Sequence, residues 1–204
     1  MNKYMGIKYN HKERWMSYLE QINLVIKYNP KKILIIGVGN NLVPDYLSNL
    51  FNVTTLDLDA NLNPDILGNV YDLKNLVKEH FDIIICCQVL EHLPFSKFEK
   101  IIKMFEEKTK KVIISLPDSR LNMRVDLRLK KLSFKFKMIF PFIYFSNKVH
   151  NWEIGWKNSS SKKVRKILKK YFNIIEEYGL FDDPYYRFYV LEVKSERKKT
   201  KSDC

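Results

Sequence analysis

The sequence predicts an α/β fold built on a mostly parallel β-sheet with helices on both faces. Three observations carry that prediction. Short runs of β-branched and leucine residues alternate with segments of helical apolar spacing along most of the chain. Ile83–Cys87 and Lys111–Leu116 are so apolar that each reads as a strand buried on both sides, as in parallel sheets. The first run, Ile33–Ile36, stops abruptly at Gly37-Val38-Gly39, a strand-to-helix turn where glycine lets the backbone bend and approach a ligand closely.

In chain order, Trp15, Tyr18, Leu19, Ile22, Val25 and Ile26 give a helix over 11–28, ended by Asn29-Pro30. A strand at 32–36, the glycine turn and a helix over 43–51 follow. Val53–Asp57 is the second strand. A polar loop holding Pro64 comes next, with a short strand around Ile66-Leu67, and then a short helix over 71–80. After the strand at 83–87, Phe98, Ile101, Ile102 and Phe105 share one face of a helix over 94–108. The strand at 111–116 is stopped by Pro117-Asp118. A basic helix over 160–171 and two closing strands at 173–180 and 187–193, joined by Asp182-Asp183-Pro184, complete the pattern. The segment between Pro117 and Ser160 breaks this rhythm. It is too long for an idle connection, and its centre, RVDLRLKKLSFKFKMIFPFIYF, interleaves Lys and Arg with bulky apolar side chains.

The 204 residues suffice for one domain with a full core. No apolar run approaches the ~18–20 residues of a membrane helix, and the N-terminal stretch lacks the features of a signal peptide. The expected location is therefore cytoplasmic. Cys86, Cys87 and Cys204 make neither a disulfide framework nor a zinc pattern, and no metal is expected. The net charge of +13 reflects either a lysine-rich solvated surface or attraction to a polyanion, an anionic membrane or nucleic acid.

Asp57 stands 20 positions after Gly37, where α/β nucleotide-binding units put a carboxylate on a ribose hydroxyl pair. A dinucleotide fingerprint requires a third glycine at position 42, which is Leu. The segment Phe81-Asp82-Ile83-Ile84-Ile85-Cys86-Cys87-Gln88-Val89-Leu90-Glu91-His92-Leu93-Pro94 discriminates further. It resembles the fourth strand and following turn of class I S-adenosylmethionine-dependent methyltransferases of the small-molecule type. The order of elements is similar over 11–118 and, by topology, over 160–193. The resemblance implies a Rossmann-like three-layer sandwich, with a mostly parallel seven-stranded sheet and an antiparallel last strand. It also implies one methyltransferase domain over 1–193, with a basic and aromatic insert at 119–150 and a disordered basic tail at 194–204.

The cofactor it implies is S-adenosyl-L-methionine. Gly37, Gly39 and Asn41 would line its methionine part, Asp57 would bind the ribose hydroxyls, and Leu58 would pack beside the adenine. Asn69 would accept from the adenine amine, while Gln88 and Val89 would approach from the strand end. Glu91 and His92 would stand at the mouth of the substrate pocket. Ile35 stands where the family commonly has an acid, and Asn41 replaces its third glycine, so a degenerate, non-catalytic binding protein is one alternative.

Methyl transfer from a sulfonium is an in-line displacement in which the protein positions the acceptor and excludes water. A hydroxyl acceptor also needs a base, and His92 and His150 are the candidates. The segment His150-Asn151-Trp152-Glu153-Ile154-Gly155-Trp156 resembles an H-x-W-E-x-G element found after strand five in some members of the superfamily. It is either a pocket wall, with Trp152 stacking and His150 or Glu153 contacting substrate, or an aromatic plug. Asp183-Pro184-Tyr185-Tyr186 resembles the D-P-P-Y motif of amino-group methyltransferases but lies in the last turn, and reads as a plain turn.

The insert is open to three roles: a lid, a surface lying on an anionic membrane, or an extra core-covering helix. The expected acceptor is a small molecule, a sugar or a lipid-linked molecule methylated on oxygen or nitrogen. With a lipid-linked acceptor the protein would sit peripherally at the inner membrane surface through 120–149. Nucleic acid, and with it RNA methylation, is the less favoured alternative, because no RNA-binding module accompanies the charge.

Overall fold

The computed structural model describes residues 4, 6, 9–130, 132–144 and 149–194. Along the chain lie α1 (Lys12–Tyr28), β1 (Lys32–Ile36), α2 (Leu42–Ser48), β2 (Asn52–Asp57), β3 (Ile66–Leu67), α3 (Leu73–Leu76) and β4 (Phe81–Cys87). They are followed by α4 (Phe95–Lys108), β5 (Thr109–Pro117), β6 (Arg120–Leu129), β7 (Leu132–Tyr144), α5 (Ser161–Tyr171), β8 (Phe172–Gly179) and β9 (Tyr186–Val193). Seven strands form one sheet in the order β3-β2-β1-β4-β5-β9-β8. Neighbours from β3 to β5 are parallel. The last strand, β9, is antiparallel to both β5 and β8.

Strand alternation divides the core into two layers, since successive side chains point to opposite faces. Ile33, Ile35, Ile83, Ile85 and Ile113 pack with Tyr18, Ile22 and Val25 of α1 and with Val43 and Leu47 of α2. Leu34, Ile36, Ile84, Val112 and Ile114 pack on the other face with Phe98, Ile102 and Phe105 of α4 and with Val164 and Leu168 of α5. The result is the three-layer sandwich expected. Cys86 is buried and Cys87 partly so, both as free thiols. Burial pushes the Cys87 thiol up to about 12, so neither has thiolate character. Cys204 and the expected tail beyond Lys194 lie outside the described residues.

Several boundaries and faces depart from the sequence reading. α2 ends at Ser48 rather than position 51, because Ser48 Oγ and Asn49 Nδ2 both donate to the Asp45 carbonyl and close the helix early. The helix expected over 71–80 is a 3₁₀ turn at Val70–Asp72 running into α3, which stops at Leu76. In α1 the buried stripe is Ser17, Tyr18, Gln21, Ile22, Leu24 and Val25, whereas Trp15, Leu19 and Ile26 are exposed. Tyr18, Ile22 and Val25 are buried as the spacing predicts, and the face they share also carries Ser17, whose Oγ accepts a hydrogen bond from Gln88.

The insert contains no covering helix among its described residues. β6 and β7 form a separate two-stranded antiparallel ribbon. Its register pairs Leu121 with Phe140, Met123 with Met138, Val125 with Phe136, Leu127 with Phe134 and Leu129 with Leu132. With a period of two, all ten side chains share one face, and a helix would scatter them. The ribbon is anchored at its base by Asp118, whose carboxylate accepts from Arg120 (2.7 and 2.6 Å) and from Arg187 of β9 (2.9 Å). Burial works to raise the Asp118 pKa, but the hydrogen bonds and charges of Arg120 and Arg187 prevail and hold it below the usual range.

Candidate functional site

The glycine turn leaves β1 at the carboxyl end of the sheet, beside the ends of β2 and β4. Gly37 (φ 89°) and Gly39 (φ 62°) both take left-handed backbone conformations. A Cβ on Gly37 would lie 2.4 Å from Val89 Cγ2, so this glycine is required by close approach to the β4 end as well as by its dihedral. A Cβ on Gly39 would meet nothing within 4 Å, which leaves open space along that side of the turn. Asn41 (φ 68°) stands at the N-terminus of α2, a position glycine usually takes and asparagine tolerates.

Asp57 closes the turn from β2. Its Oδ2 accepts from the Val38 amide at 2.8 Å and its Oδ1 from the Asp59 amide at 2.9 Å. Each carboxylate oxygen retains capacity for a further donor. Leu58, next to it, is 69% exposed. Asn69 Oδ1 accepts from the Tyr71 amide at 3.0 Å, capping the 3₁₀ turn. Ile35 is buried among the apolar residues facing α1.

Gln88 follows β4 in a left-handed conformation (φ 59°). Its side chain turns toward α1, where Nε2 donates to Ser17 Oγ at 2.8 Å and Oε1 accepts from Arg14. Arg14 also donates to Tyr9 Oη at 3.1 Å, and its guanidinium stacks 4.1 Å from the Tyr9 ring centroid. The sequence reading missed Arg14 and Ser17. They carry no motif, and only the packing of α1 over the strand end brings them to Gln88.

Beyond Gln88 the chain makes a 3₁₀ turn at Leu90–His92, and the segment 150–155 is laced to it. Asn151 N donates to the Glu91 carbonyl, Asn151 Nδ2 to the His92 carbonyl and Trp152 Nε1 to the Leu90 carbonyl, at 2.7–3.1 Å. Trp152 is 2% exposed and packs edge-on against Phe95 and Phe98, with centroids 4.9 and 5.1 Å away. It is therefore the aromatic plug of the two roles open to it, and its ring offers no stacking face to a substrate.

The same lacing brings Glu91, His92, His150 and Glu153 together. Glu91 does not stand at a pocket mouth: it is fully buried, and among the described residues neither carboxylate oxygen has a hydrogen-bond partner. Burial pushes its carboxyl up to about 7, against the pull of the nearby His150. Glu153 is also fully buried. Its Oε1 accepts from Tyr185 Oη at 2.7 Å and lies 2.8 Å from His150 Nδ1. The rings of His92 and His150 meet edge to face at 5.1 Å. Tyr185 comes from the Asp183-Pro184 turn, so that turn also supplies a side chain to the cluster. Asp183 is buried too, and desolvation raises its pKa to about 6.

No protein-family model matches this sequence, and no curated protein matches it by sequence. Solved structures match its fold. An S-adenosylmethionine-dependent methyltransferase from Clostridium acetobutylicum aligns with a TM-score of 0.60 at 12% identity, over 92% of this chain and 94% of its own. The N-methyltransferase NodS of Bradyrhizobium japonicum, solved with S-adenosylhomocysteine, gives 0.63 at 10% identity over 90% and 89%. Magnesium protoporphyrin IX methyltransferase of Synechocystis, also with S-adenosylhomocysteine bound, gives 0.63 at 13% over 89% and 84%. The chain has the class I methyltransferase fold.

Proposed function

We propose that this chain is an S-adenosylmethionine-dependent methyltransferase acting on a lipid-linked acceptor at an anionic membrane surface. The observation that carries the cofactor is the glycine turn at the carboxyl end of the central strand, held by Asp57 through the Val38 amide. Open carboxyl strand ends of this kind are where doubly wound sheets bind ligands. The residues fit the cofactor: Gly39 borders free space, Asp57 retains acceptor capacity for ribose hydroxyls, and Leu58 presents an exposed apolar side chain beside them. Gly37, Asn41 and Val89 would line the methionine end. Gln88, tied to Arg14 and Ser17, would hold the wall between cofactor and α1. Asn69, already capping a turn, would border the adenine.

When bound, S-adenosylmethionine supplies an electrophilic methyl group on a sulfonium. The chain's own part is to orient an acceptor near Val89 and His92 and to exclude water. The buried His150–Glu153–Tyr185 group would hold a proton between His150 Nδ1 and Glu153 Oε1 and so fix the orientation of the His150 ring.

The membrane reading is supported by the ribbon. Its basic face rests on the turn between β8 and β9. There Arg124 donates to the Phe181 carbonyl at 2.5 Å, Lys137 to the Leu180 carbonyl at 3.3 Å, and Lys135 lies 4.9 Å from the Phe181 ring. The apolar face points away, and Met123, Leu127, Leu129, Leu132, Phe134 and Phe136 are exposed. An exposed apolar patch on a chain of net charge +13 suits an anionic bilayer surface.

Calorimetric titration with S-adenosylmethionine and S-adenosylhomocysteine tests the cofactor. Binding is expected, with affinity reduced at least tenfold in Asp57→Ala, and no heat from either ligand overturns the enzyme reading. Co-sedimentation with phosphatidylglycerol vesicles tests the membrane. Wild-type protein is expected to pellet and the Leu127→Asp/Phe134→Asp variant to remain in solution. Equal behaviour of the two, or a dimer of the wild type that the double variant dissolves, overturns the membrane reading.

A further inference from the structure

Glu91, His92 and His150 come together beyond the end of β4, and the Glu91 carboxylate takes part in no hydrogen bond among the described residues. One ligand atom each from Glu91, His92 and His150 lies within 4.8 Å of the others. Glu91 is fully buried with both oxygens unpartnered among the described residues, which is costly for a carboxylate with nothing to bind. Two of the chain's four histidines meet here. The sequence pattern hides the group, because Glu91 and His92 are adjacent while His150 stands 58 positions later.

The surroundings are those of a metal ligand set. Glu153 Oε1 lies 2.8 Å from His150 Nδ1, so a proton on Nδ1 is held by the carboxylate and Nε2 keeps its lone pair. Tyr185 Oη, which donates to the same Glu153 oxygen, fixes that carboxylate in turn. The backbone is equally determined, since Asn151 ties the His150 side to the carbonyls of Glu91 and His92. Zinc bonds of roughly 2.0–2.2 Å need ligand atoms roughly 3.5 Å apart, so side-chain rotations of about an ångström complete the site.

We propose that Glu91, His92 and His150 bind a divalent transition-metal cation of the zinc type, with Glu153 as the positioning residue for His150. Two imidazoles and one carboxylate leave coordination open for one further ligand. The catalytic use of the cation rests on the methyl-transfer reading, while its binding does not. The acceptor class that follows is a hydroxyl. A cation held by these three residues would make a hydroxyl oxygen beside it more acidic, and the proton would leave to solvent water. The oxygen then forms the C–O bond as the C–S bond breaks, and the electron pair stays on the sulfur, which becomes a neutral thioether.

The test is a titration of chelator-treated full-length protein with Co²⁺, followed by its visible ligand-field bands, with Zn²⁺ as competitor. One Co²⁺ per chain is expected, displaced by Zn²⁺, with the bands lost in His150→Gln and Glu91→Gln. Glu153→Gln should weaken binding 10–100-fold with all three ligands retained, and the double variant His11→Gln/His80→Gln should bind as wild type. Absence of bands in the wild type, or unchanged bands in His150→Gln, overturns the site. If the buried Glu91→Gln variant fails to fold by circular dichroism, the exposed His92→Gln variant and the wild-type titration still decide. Titration with S-adenosylmethionine separates the two proposals. Cofactor binding without Co²⁺ sinks the metal site alone, and Co²⁺ binding without cofactor sinks the methyl-transfer reading alone.

Discussion

At the carboxyl end of β4, two carboxylates, Glu91 and Glu153, are fully buried, while at the tip of the ribbon Leu129 and Leu132 are 71% and 69% exposed. Each region reverses the ordinary partition of charged and apolar side chains. At the first, hydrogen bonds from the Asn151 amide and the Trp152 indole and the packing of Trp152 on Phe95 and Phe98 hold carboxyl groups where isolated ones would not stay. In the second, a ladder of cross-strand pairs keeps an apolar face intact although the core does not cover it. Polar groups held out of water and apolar groups held in it both cost stability, and both are features of sites that bind something.

The comparison can be broken most forcefully at Trp152. Trp152→Ala should lower unfolding free energy by about 3–5 kcal/mol in urea titration, because the plug fastens the 150–155 segment to the 90–92 turn. A loss under about 1 kcal/mol would mean that the junction is not built around it. Asp118 joins the two regions, and Asp118→Ala should cost about 3 kcal/mol by leaving Arg120 and Arg187 without their buried partner. Because its folded pKa is depressed, the stability Asp118 contributes is present above the unfolded carboxylate value and is lost as pH falls through the folded one. The difference between wild type and variant should therefore shrink below about pH 4.

Asp183 has the opposite sign. It faces Arg14, His11 and Glu13 of the α1 end and the Tyr185 amide, and burial raises its pKa to about 6. The folded protein therefore holds a proton that the unfolded chain releases, and this contribution to stability falls as pH rises from about 4 to about 6. Asp183→Asn should flatten the pH dependence in that window, read from melting temperatures at constant ionic strength. An unchanged slope would assign the dependence to other groups. The smallest effect is expected on the ribbon, where Leu127→Ser should change unfolding free energy by less than about 1 kcal/mol, the range of one cross-strand pair. A larger loss would show that the apolar face is part of the folded core.

Much of the sheet was legible from local pattern. The apolar runs Ile83–Cys87 and Val112–Ile114 read as strands covered on both faces, and the glycine turn marks the strand end where backbone must come close to Val89. The ribbon was legible in principle: Leu121 to Leu129 and Leu132 to Met138 alternate apolar with polar residues, a period of two on either side of 130–131. The apolar spacing of α1 allows two neighbouring faces, and the buried one is the face that also brings Ser17 and Arg14 to Gln88.

The sequence by itself determined the alternation of strands and helices, the glycine turn and the acid that follows it, because these depend on residues near one another in the chain. Only the tertiary structure decided that Trp152 is a plug and that Asp118 anchors a ribbon. It likewise decided that Glu91 and His92 meet His150. Those outcomes depend on which distant segments share a strand end, and on burial, which turns an ordinary carboxylate into one that must find a partner.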